Sequence, residues 1–332
     1  MNVSVVIPVY NAEIWIAETL ESVAEQGDNI EVIVVDDHSP DRSADIAREF
    51  LDRSSLLGKV ITTDQNQGPG HARDLGWKCA TSEWIQFLDA DDLLAPEKFD
   101  VQCARAESAP EDVGVLYSPW QHIGLHNNQW RPSGPVVRSD VDQDTVSSIL
   151  KDRQFGYVGP ALVRRRALEA VSGFSLGMIL GEDLDLMLRI AMSGYRFELV
   201  ASVRPLFFYR DAPESLWHRS AAKPEAVMQL LRSVREAETF LDGEGNEPIA
   251  TSTKLAIATR YTELLDVLRS GDRNDFERVL KWISDLQLRS APPGSALPTH
   301  VVAMIAGLGN ATRIKCAVRH TLRSLRAERA GT

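Results

Sequence analysis

Short apolar runs alternate with helical patterns over the first ninety residues. Residues 3–7 (VSVVI) and 31–35 (EVIVV) are β-branched runs that predict strands buried on both faces, with Pro8 expected to end the first. Further strands are expected at 59–63 and 84–88, and helices are expected at 12–26, 43–51 and 70–80. Strands that alternate with helices favour a mainly parallel sheet, whose ligands bind at the carboxyl ends of the strands.

The pattern changes twice further along the chain. After residue 110 it is mixed: strands are expected at 113–118, 156–164, 197–201 and 206–209, a hairpin or irregular region at 122–139, and a helix at 182–193. From about Ser220, helical patterns dominate at 223–241, 250–270, 273–287 and 301–327. We therefore predict an α/β domain over residues 1–219 and a helical C-terminal extension over residues 220–332.

Composition excludes several classes of protein. The 332 residues are 44% hydrophobic and 25% charged, which is typical of a globular chain and untypical of a disordered one. The N-terminal residues lack the basic region and long apolar core of a secretory signal, and three cysteines (Cys79, Cys103, Cys316) predict reduced thiols rather than disulfides. A net charge of −11 disfavours nucleic acid as a partner.

The charge is uneven, because the last twenty residues are basic. Residues 313–332 hold six basic side chains against Glu328, and apolar residues recur among them at helical spacing. Such a segment favours either peripheral contact with an anionic membrane surface or docking on acidic surface of its own chain or a partner chain. Both interpretations stay open, and so does a homo-oligomer.

Polar residues cluster where the predicted strands end. Asp36-Asp37 follows the second strand, and Asp89-Ala90-Asp91-Asp92 follows the fourth. An acidic turn alone is typical of helix capping. A diphosphate ligand entering this acidic cleft would need its charge neutralised, and the chain has no GxxxxGK[ST] phosphate loop. Mn²⁺ or Mg²⁺ bound by Asp89 and Asp91 would supply that, if the chain stays extended so that both carboxylates point the same way.

The ordered motifs VVIPVYNAE, VVDDHS, NQGPGHARDLG, LDADD, VSGF and GEDLDLMLRIAMSGYRF resemble the family 2 glycosyltransferases. The resemblance covers residues 3 to about 219. It implies the GT-A fold, a nucleotide-sugar-binding, Rossmann-like, mainly parallel sheet flanked by helices. It also implies that Asp91 contacts the metal and that Asp89 reaches the ribose of the donor.

The same resemblance assigns the base and phosphate contacts of the donor. Pro8 and Tyr10 line the base, and Asp37 accepts from a ring N–H, which favours uracil over cytosine and leaves guanine open. Asn11 and Glu13 are supporting candidates, or ordinary turn and first-helix residues. Three residues of the NQGPGHARD segment are also expected near the donor: Gly68, Gly70 and Arg73.

Two of these assignments have alternatives. Gly68 and Gly70 would let the backbone approach the donor closely. Arg73 either contacts phosphate or anchors its loop on a carboxylate, which is Asp74 or another.

The chain departs from the family at one motif. Many relatives carry a histidine two positions after a Tyr-Arg pair, whereas Tyr209-Arg210 is followed here by Asp211 and Ala212. His218 is then either a metal ligand from a rearranged loop or an ordinary surface or core residue.

The base for transfer is expected at the start of the 182–193 helix. By the resemblance, Asp183 takes the proton of the acceptor hydroxyl, and a single displacement inverts the anomeric centre. Glu182 and Asp183 could instead simply complement the helix dipole.

The resemblance implies a metal-dependent, inverting hexosyltransferase that moves a sugar from a nucleotide diphosphate, a UDP-sugar by preference, to a glycan or lipid-linked acceptor. Bacterial surface polysaccharide assembly is the expected setting, in the cytoplasm or on the inner face of the membrane. A nucleotidyltransferase is disfavoured because the N-terminal motif lacks a Gly-rich, basic phosphate loop. A nucleotide-sugar-binding protein with a decayed site is disfavoured because Asp91 and Asp183 are both present.

Overall fold

The computed structural model describes residues 2–27, 30–127, 129–139, 141, 144–152, 155–211, 223–244, 249–268 and 271–286. Its contacts divide the chain into two compact units, residues 1–220 and 221–332.

The first unit holds eleven described strands and seven described helices. The strands are β1 (Val3–Val9), β2 (Ile30–Asp36), β3 (Leu57–Thr62), β4 (Trp84–Phe87), β5 (Leu93–Leu94), β6 (Val113–Tyr117), β7 (Trp120–His126), β8 (Gln129–Pro132), β9 (Ala161–Arg164), β10 (Arg196–Leu199) and β11 (Phe207–Arg210). The helices are α1 (Ile16–Ala24), α2 (Ser43–Arg53), α3 (Pro69–Cys79), α4 (Lys98–Ala106), α5 (Thr145–Lys151), α6 (Arg165–Ala170) and α7 (Glu182–Met192).

The main sheet has seven strands in the order β10-β6-β9-β4-β1-β2-β3. Strands β4, β1, β2 and β3 are mutually parallel, and β9 runs antiparallel to both of its neighbours. Every residue of β1 and β4 is buried, as expected for strands covered on both faces by helices. The predicted mainly parallel α/β sheet is confirmed, and its carboxyl edge collects the residues that follow β1, β2 and β4.

Pro8 does not end the first strand, contrary to the prediction. Strand β1 continues to Val9, and Pro8 pairs with Val35 of β2. On its other side the ladder with β4 stops at Val6. A proline, which has no N–H to donate, is tolerated where one side of the strand carries no ladder.

The strand predicted over residues 156–164 is also shorter in the structure, where β9 begins at Ala161. The preceding residues form turns, because Gly156 and Gly159 pack too closely for side chains. A Cβ on Gly156 would lie 2.6 Å from Cδ1 of Leu184, and one on Gly159 would lie 2.6 Å from Cζ of Phe207. This close packing fixes the course of the chain beside α7 and β11.

A second sheet of four strands, β5-β11-β7-β8, adjoins the main one. Strands β7 and β8 form the hairpin predicted within residues 122–139, and Asn127 at its turn has a φ of 49°, in the left-handed region. Asparagine is among the residues that adopt this conformation most readily.

The described part of the second unit consists of three helices, α8 (Pro224–Glu244), α9 (Thr251–Leu268) and α10 (Arg273–Asp285). The Tyr261 hydroxyl donates to Glu238 at 2.6 Å, which joins α9 to α8 inside this unit. None of the helices in the described ranges is both long and apolar enough to cross a membrane. The helix predicted at 301–327 and the basic residues 313–332 lie outside the described residues.

Candidate active site

Asp37 lies directly beyond β2 and holds the loop that leads into α3. Its carboxylate accepts from the Thr63 hydroxyl at 3.1 Å, from the Gln67 backbone N–H at 3.0 Å and from the Gly68 backbone N–H at 2.7 Å. Gly68 has a φ of +89°, which favours glycine. The Gln67 N–H is shared, since it also lies 3.0 Å from Oδ2, so each oxygen of the Asp37 carboxylate already has two donors.

The segment after β1 lies beside this loop. Tyr10 is half exposed, whereas Pro8 is buried within the sheet. The Asn11 backbone N–H donates to the Ser39 hydroxyl at 3.2 Å, and the Glu13 carboxylate accepts from the Arg42 backbone N–H at 3.1 Å. Asn11 and Glu13 therefore connect two loops at the carboxyl edge of the sheet.

Residues 89–92 form a turn after β4, not the extended chain that the sequence prediction assumed. The Asp92 backbone N–H donates to the Asp89 carbonyl at 3.0 Å. The buried Thr19 hydroxyl, from α1, lies 2.8 Å from the Ala90 carbonyl and 3.0 Å from the Asp92 carbonyl. The turn gathers three carboxylates, from Asp89, Asp91 and Asp92, through a bend held by α1.

The pKa values of two of these carboxylates, Asp91 and Asp92, are raised. Burial and the nearby Asp89 charge raise the pKa of Asp91 to about 6, and the Arg210 and Arg73 guanidinium groups oppose the rise. Burial, followed by the charges of Asp91 and Asp89, raises the pKa of Asp92 well above its ordinary value. The site therefore concentrates more negative charge than it neutralises, which suits a cation.

Arg73 joins this turn to the start of α7. Its Nη2 lies 2.6 Å from Oδ1 of Asp89, and its Nη1 lies 2.8 Å from Oε1 of Glu182 and 3.2 Å from Oδ1 of Asp183. The Arg73 side chain is 4% exposed, and its charge is surrounded by three carboxylates. Of the two contacts predicted for Arg73, the structure places the side chain on carboxylates, although not on Asp74.

Asp183 is buried at the first turn of α7. Its pKa is raised to about 7, because burial and the carboxylates of Glu182 and Asp89 raise it more than the Arg73 charge lowers it. Its Oδ2 accepts weakly from the Val158 backbone N–H at 3.4 Å, and its Oδ1 is buried without a hydrogen-bond partner among the described residues. A carboxylate with these properties can exchange a proton near neutral pH.

Gly70 lies against Glu182, since a Cβ there would be 3.4 Å from Cγ of Glu182. Asp74 serves the fold: it accepts from the Trp77 indole N–H at 2.9 Å and from the Phe174 backbone N–H at 3.3 Å. His218 lies outside the described residues, so its two interpretations stay open.

Tyr157 contributes to the site but was missed in the sequence. Its hydroxyl lies 2.5 Å from Oδ2 of Asp92 and 3.2 Å from Oδ2 of Asp89. The only sequence signal is its place between Gly156 and Gly159, within the strand predicted over residues 156–164. Tyr157 supplies a neutral donor to the acidic turn.

Arg210 was noticed only as part of the Tyr209-Arg210 pair. Its Cζ atom lies 4.7 Å from the ring centroid of Trp15 and 4.6 Å from that of Trp130. Its side chain has no exposed surface and pairs with Glu18 at 2.8 Å, and its backbone N–H donates to Asp92 at 2.8 Å. Arg210 thus connects β11 to α1, β8 and the acidic turn.

The turn at residues 89–92 offers carboxylate oxygens, which are the ligands that a hard divalent cation prefers. Among the described residues, no group of three or more His, Cys, Asp or Glu side chains is arranged to hold a metal. Asp89 and Asp92 are occupied by Arg73, Tyr157 and Arg210, whereas no other group in the described ranges hydrogen-bonds to the Asp91 carboxylate. One carboxylate is enough for Mg²⁺ or Mn²⁺ when substrate phosphates and water complete the coordination.

The parallel sheet, the acidic turn after β4 and the Glu182-Asp183 pair define a protein of the GT-A class. The chain matches Glycosyl transferase family 2 over residues 4–172, about half its length, and it belongs to this family. The resemblance noted from the sequence is confirmed.

Two bacterial proteins are examples of relatives that are similar in sequence. Succinoglycan biosynthesis protein ExoO of Rhizobium meliloti (strain 1021) is 27% identical over 63% of this chain and 61% of that protein. Uncharacterized glycosyltransferase EpsJ of Bacillus subtilis (strain 168) is 34% identical over 64% of this chain and 62% of that protein. The matches therefore span less than two thirds of the length of either relative.

Solved structures share the fold. S. aureus TarS 1–349 in complex with UDP-GlcNAc has a TM-score of 0.64 at 19% identity, covering 92% of this chain and 84% of that one. Mannosyltransferase PcManGT from Pyrobaculum calidifontis, in complex with GDP-Man and Mn²⁺, has a TM-score of 0.56 at 22% identity, covering 92% and 78%.

Proposed function

We propose that this protein transfers a sugar from a nucleotide diphosphate donor to a hydroxyl group of an acceptor, with inversion at the anomeric carbon. The observation that carries the proposal is the buried Arg73 cluster. One guanidinium group holds Asp89, on the donor side, within reach of Glu182 and Asp183, on the acceptor side. This arrangement supports a single site in which both substrates meet.

In this proposal Asp183 is the general base. It removes the proton of the acceptor hydroxyl while that oxygen forms a bond to the anomeric carbon and the bond from that carbon to the diphosphate oxygen breaks. Because one displacement occurs at one face, the configuration inverts. A base is most effective when its pKa is close to the working pH, and the pKa of Asp183, raised to about 7, meets that requirement.

Asp91 is the residue we propose for the metal, either Mn²⁺ or Mg²⁺. When bound, the ion would neutralise the diphosphate and stabilise it as a leaving group. We assign Asp89 to a ribose hydroxyl rather than to the metal, and its contacts with Arg73 and Tyr157 support this assignment because they already occupy its carboxylate.

For the donor we propose a UDP-sugar, with Tyr10 and Asp37 at the base. A uracil ring N–H would bond to the Asp37 carboxylate by taking over one of the two oxygens that the Gln67 N–H now shares. The TarS structure contains UDP-GlcNAc, which supports the uridine class, while the PcManGT structure contains GDP-Man and makes GDP the necessary control.

For the acceptor we propose a bacterial surface glycan or its lipid-linked precursor, since relatives bear names such as succinoglycan biosynthesis protein. We further propose peripheral contact of the basic residues 313–332 with an anionic membrane on the cytoplasmic side. Sedimentation with anionic and neutral vesicles tests it: binding to anionic vesicles that is lost on deletion of 313–332 is expected, and equal binding after deletion would contradict it.

The proposed function is tested first by calorimetric titration of UDP into the protein, with Mn²⁺ and with excess chelator, beside GDP. Metal-dependent UDP binding is expected, followed by sugar release when UDP-sugars are supplied. A preference for GDP would overturn the donor class but not the reaction. No binding of either nucleotide would overturn the proposed function.

A further inference from the structure

The 155–160 segment, which precedes β9, contacts both halves of the candidate active site. Its Tyr157 hydroxyl donates to Asp92 and Asp89, and its Val158 backbone N–H approaches Asp183 at 3.4 Å. The position of this segment therefore affects the donor-side carboxylates and the proposed base together.

Four buried polar side chains support the segment from the protein interior. We call this set the polar cradle, and its members are Gln86 of β4, Lys98 and Gln102 of α4, and Ser118, which follows β6. Each is at most 1% exposed. Three separate elements of the first unit thus contribute to one buried polar group.

The polar cradle converges on two consecutive carbonyl oxygens. The Gly159 carbonyl accepts from Nε2 of Gln86 at 2.6 Å. The Pro160 carbonyl accepts from Nζ of Lys98 at 3.0 Å, from the Ser118 hydroxyl at 2.8 Å and from Nε2 of Gln102 at 3.2 Å. A carbonyl oxygen has two lone pairs, so the Pro160 carbonyl has more donors than it needs to be satisfied as a buried acceptor.

Lys98 is the costly member of this set. None of the described carboxylates forms an ion pair with it, and burial lowers its pKa well below the ordinary value for lysine. Burying an amine without a charged partner destabilises the fold unless its hydrogen bonds compensate. If position 98 served packing alone, methionine, whose side chain has a similar length, would fill it equally well.

The opposite side of the segment is equally restricted. A Cβ on Gly159 would lie 2.6 Å from Cζ of Phe207 and 2.8 Å from Cε1 of Tyr157. Because Tyr157 belongs to the segment itself, the outside restraint on this side is the Phe207 ring of β11. The segment is held between the polar cradle and that ring, and it can move only if one of them gives way.

We propose that the polar cradle is a positioning device for catalysis, which holds the 155–160 segment where Tyr157 and Val158 align the donor-side carboxylates and Asp183. The inference rests on the proposed function. Lys98, Gln86, Gln102 and Ser118 are positioning residues, because they act on the reaction through the segment rather than on a substrate.

A double-mutant cycle tests the proposal on purified full-length protein. Lys98→Met is expected to lower kcat for sugar transfer about tenfold, since a displacement of a fraction of an ångström has effects of this order. Tyr157→Phe removes the hydroxyl that the cradle positions. The combined variant is expected to lose much less than the product of the two single losses. A full multiplicative loss would overturn the proposal.

Ser4→Ala is the matched control. Ser4 is also completely buried and donates to Glu31 at 2.6 Å, but it lies near the amino end of β1, away from the site. Its loss is expected to reduce stability and to combine multiplicatively with Tyr157→Phe. Coupling as strong as that of Lys98 would make the effect one of general stability and overturn the proposal.

Amide hydrogen exchange gives a readout that does not depend on transfer. Lys98→Met is expected to accelerate exchange in residues 155–160 while leaving β1 and β2 unchanged. Faster exchange there in a protein that transfers no sugar would refute the proposed function alone. Unchanged exchange would refute the positioning role. If Lys98→Met does not fold, Ser118→Ala removes one of the same three donors and is measured instead.

Discussion

The Nη1 atom of Arg73 lies 3.2 Å from Oδ1 of Asp183, so the proposed base is held beside a buried positive charge. This charge opposes burial, which raises the pKa of Asp183. Two opposed effects leave the pKa at about 7, a value at which the carboxylate is partly ionised at neutral pH. Arg73 therefore sets the pH at which Asp183 becomes able to accept a proton.

Arg73→Met should move the rise of the transfer rate to higher pH. Without the guanidinium charge, the pKa of Asp183 increases, so a higher pH is needed to deprotonate Asp183. The measurement is the pH dependence of kcat between about pH 5 and pH 10, which covers the range in which such a base loses its proton. Arg73→Lys retains the charge and is expected to keep the midpoint close to that of the unaltered protein. A midpoint unaffected by Arg73→Met would separate Arg73 from the base.

Asp183→Asn should abolish transfer without abolishing donor binding. Loss of a general base lowers the rate by about a hundredfold or more, whereas UDP affinity measured by calorimetry is expected to persist. In the unaltered protein the rate should rise as pH increases through about 7, because Asp183 must lose its proton to act.

The control for this variant is Asp185→Asn, on the same helix. Asp185 accepts from Ser175 at 2.7 Å and from Nε of Arg189 at 2.8 Å, contacts that support the fold. It should reduce thermal stability more than the transfer rate. Equal loss of rate in both variants would assign the effect to a displaced helix rather than to the base.

Asp91→Asn should remove the metal dependence of UDP binding. The Asp91 carboxylate has no other described hydrogen-bond partner, so the substitution leaves the hydrogen bonds of the turn in place. Calorimetry with Mn²⁺ and with chelator should then give the same weak affinity. Asp100→Asn, at an exposed position of α4, is the control and should retain the metal effect. An intact metal effect in Asp91→Asn would move the metal to another residue.

Much of the site could be predicted because its residues adjoin the ends of predictable elements. Asp37 follows a buried strand, Asp89 and Asp91 follow another, and Asp183 begins a helix; their meeting at one edge follows from a parallel sheet. The roles proposed for them still await the tests above. Pro8 was misjudged because the effect of a proline depends on where the neighbouring ladder stops, which one strand does not reveal.

The rest of the site depends on contacts between residues that are far apart in the sequence, which no local sequence pattern predicts. The turn at residues 89–92 is held by Thr19, some seventy positions earlier, and the 155–160 segment is held by Lys98. No predicted element contains Lys98, and Tyr157 lies between two glycines within a predicted strand. Their partners are set by tertiary packing, so only the assembled sheet identifies them.

The cation–π contacts of Arg210 with Trp15 and Trp130 should contribute more to stability than the ion pair of Arg210 with Glu18. Glu18 is half exposed, and an ion pair of this kind contributes about 0–1 kcal/mol. The cation–π contacts are desolvated, and they contribute about 2 kcal/mol or more. Arg210→Lys, which keeps a charge but loses the planar group, should therefore lower the free energy of unfolding in urea more than Glu18→Gln does. If Glu18→Gln proves the more damaging, the ion pair rather than the tryptophan rings holds β11 against the acidic turn.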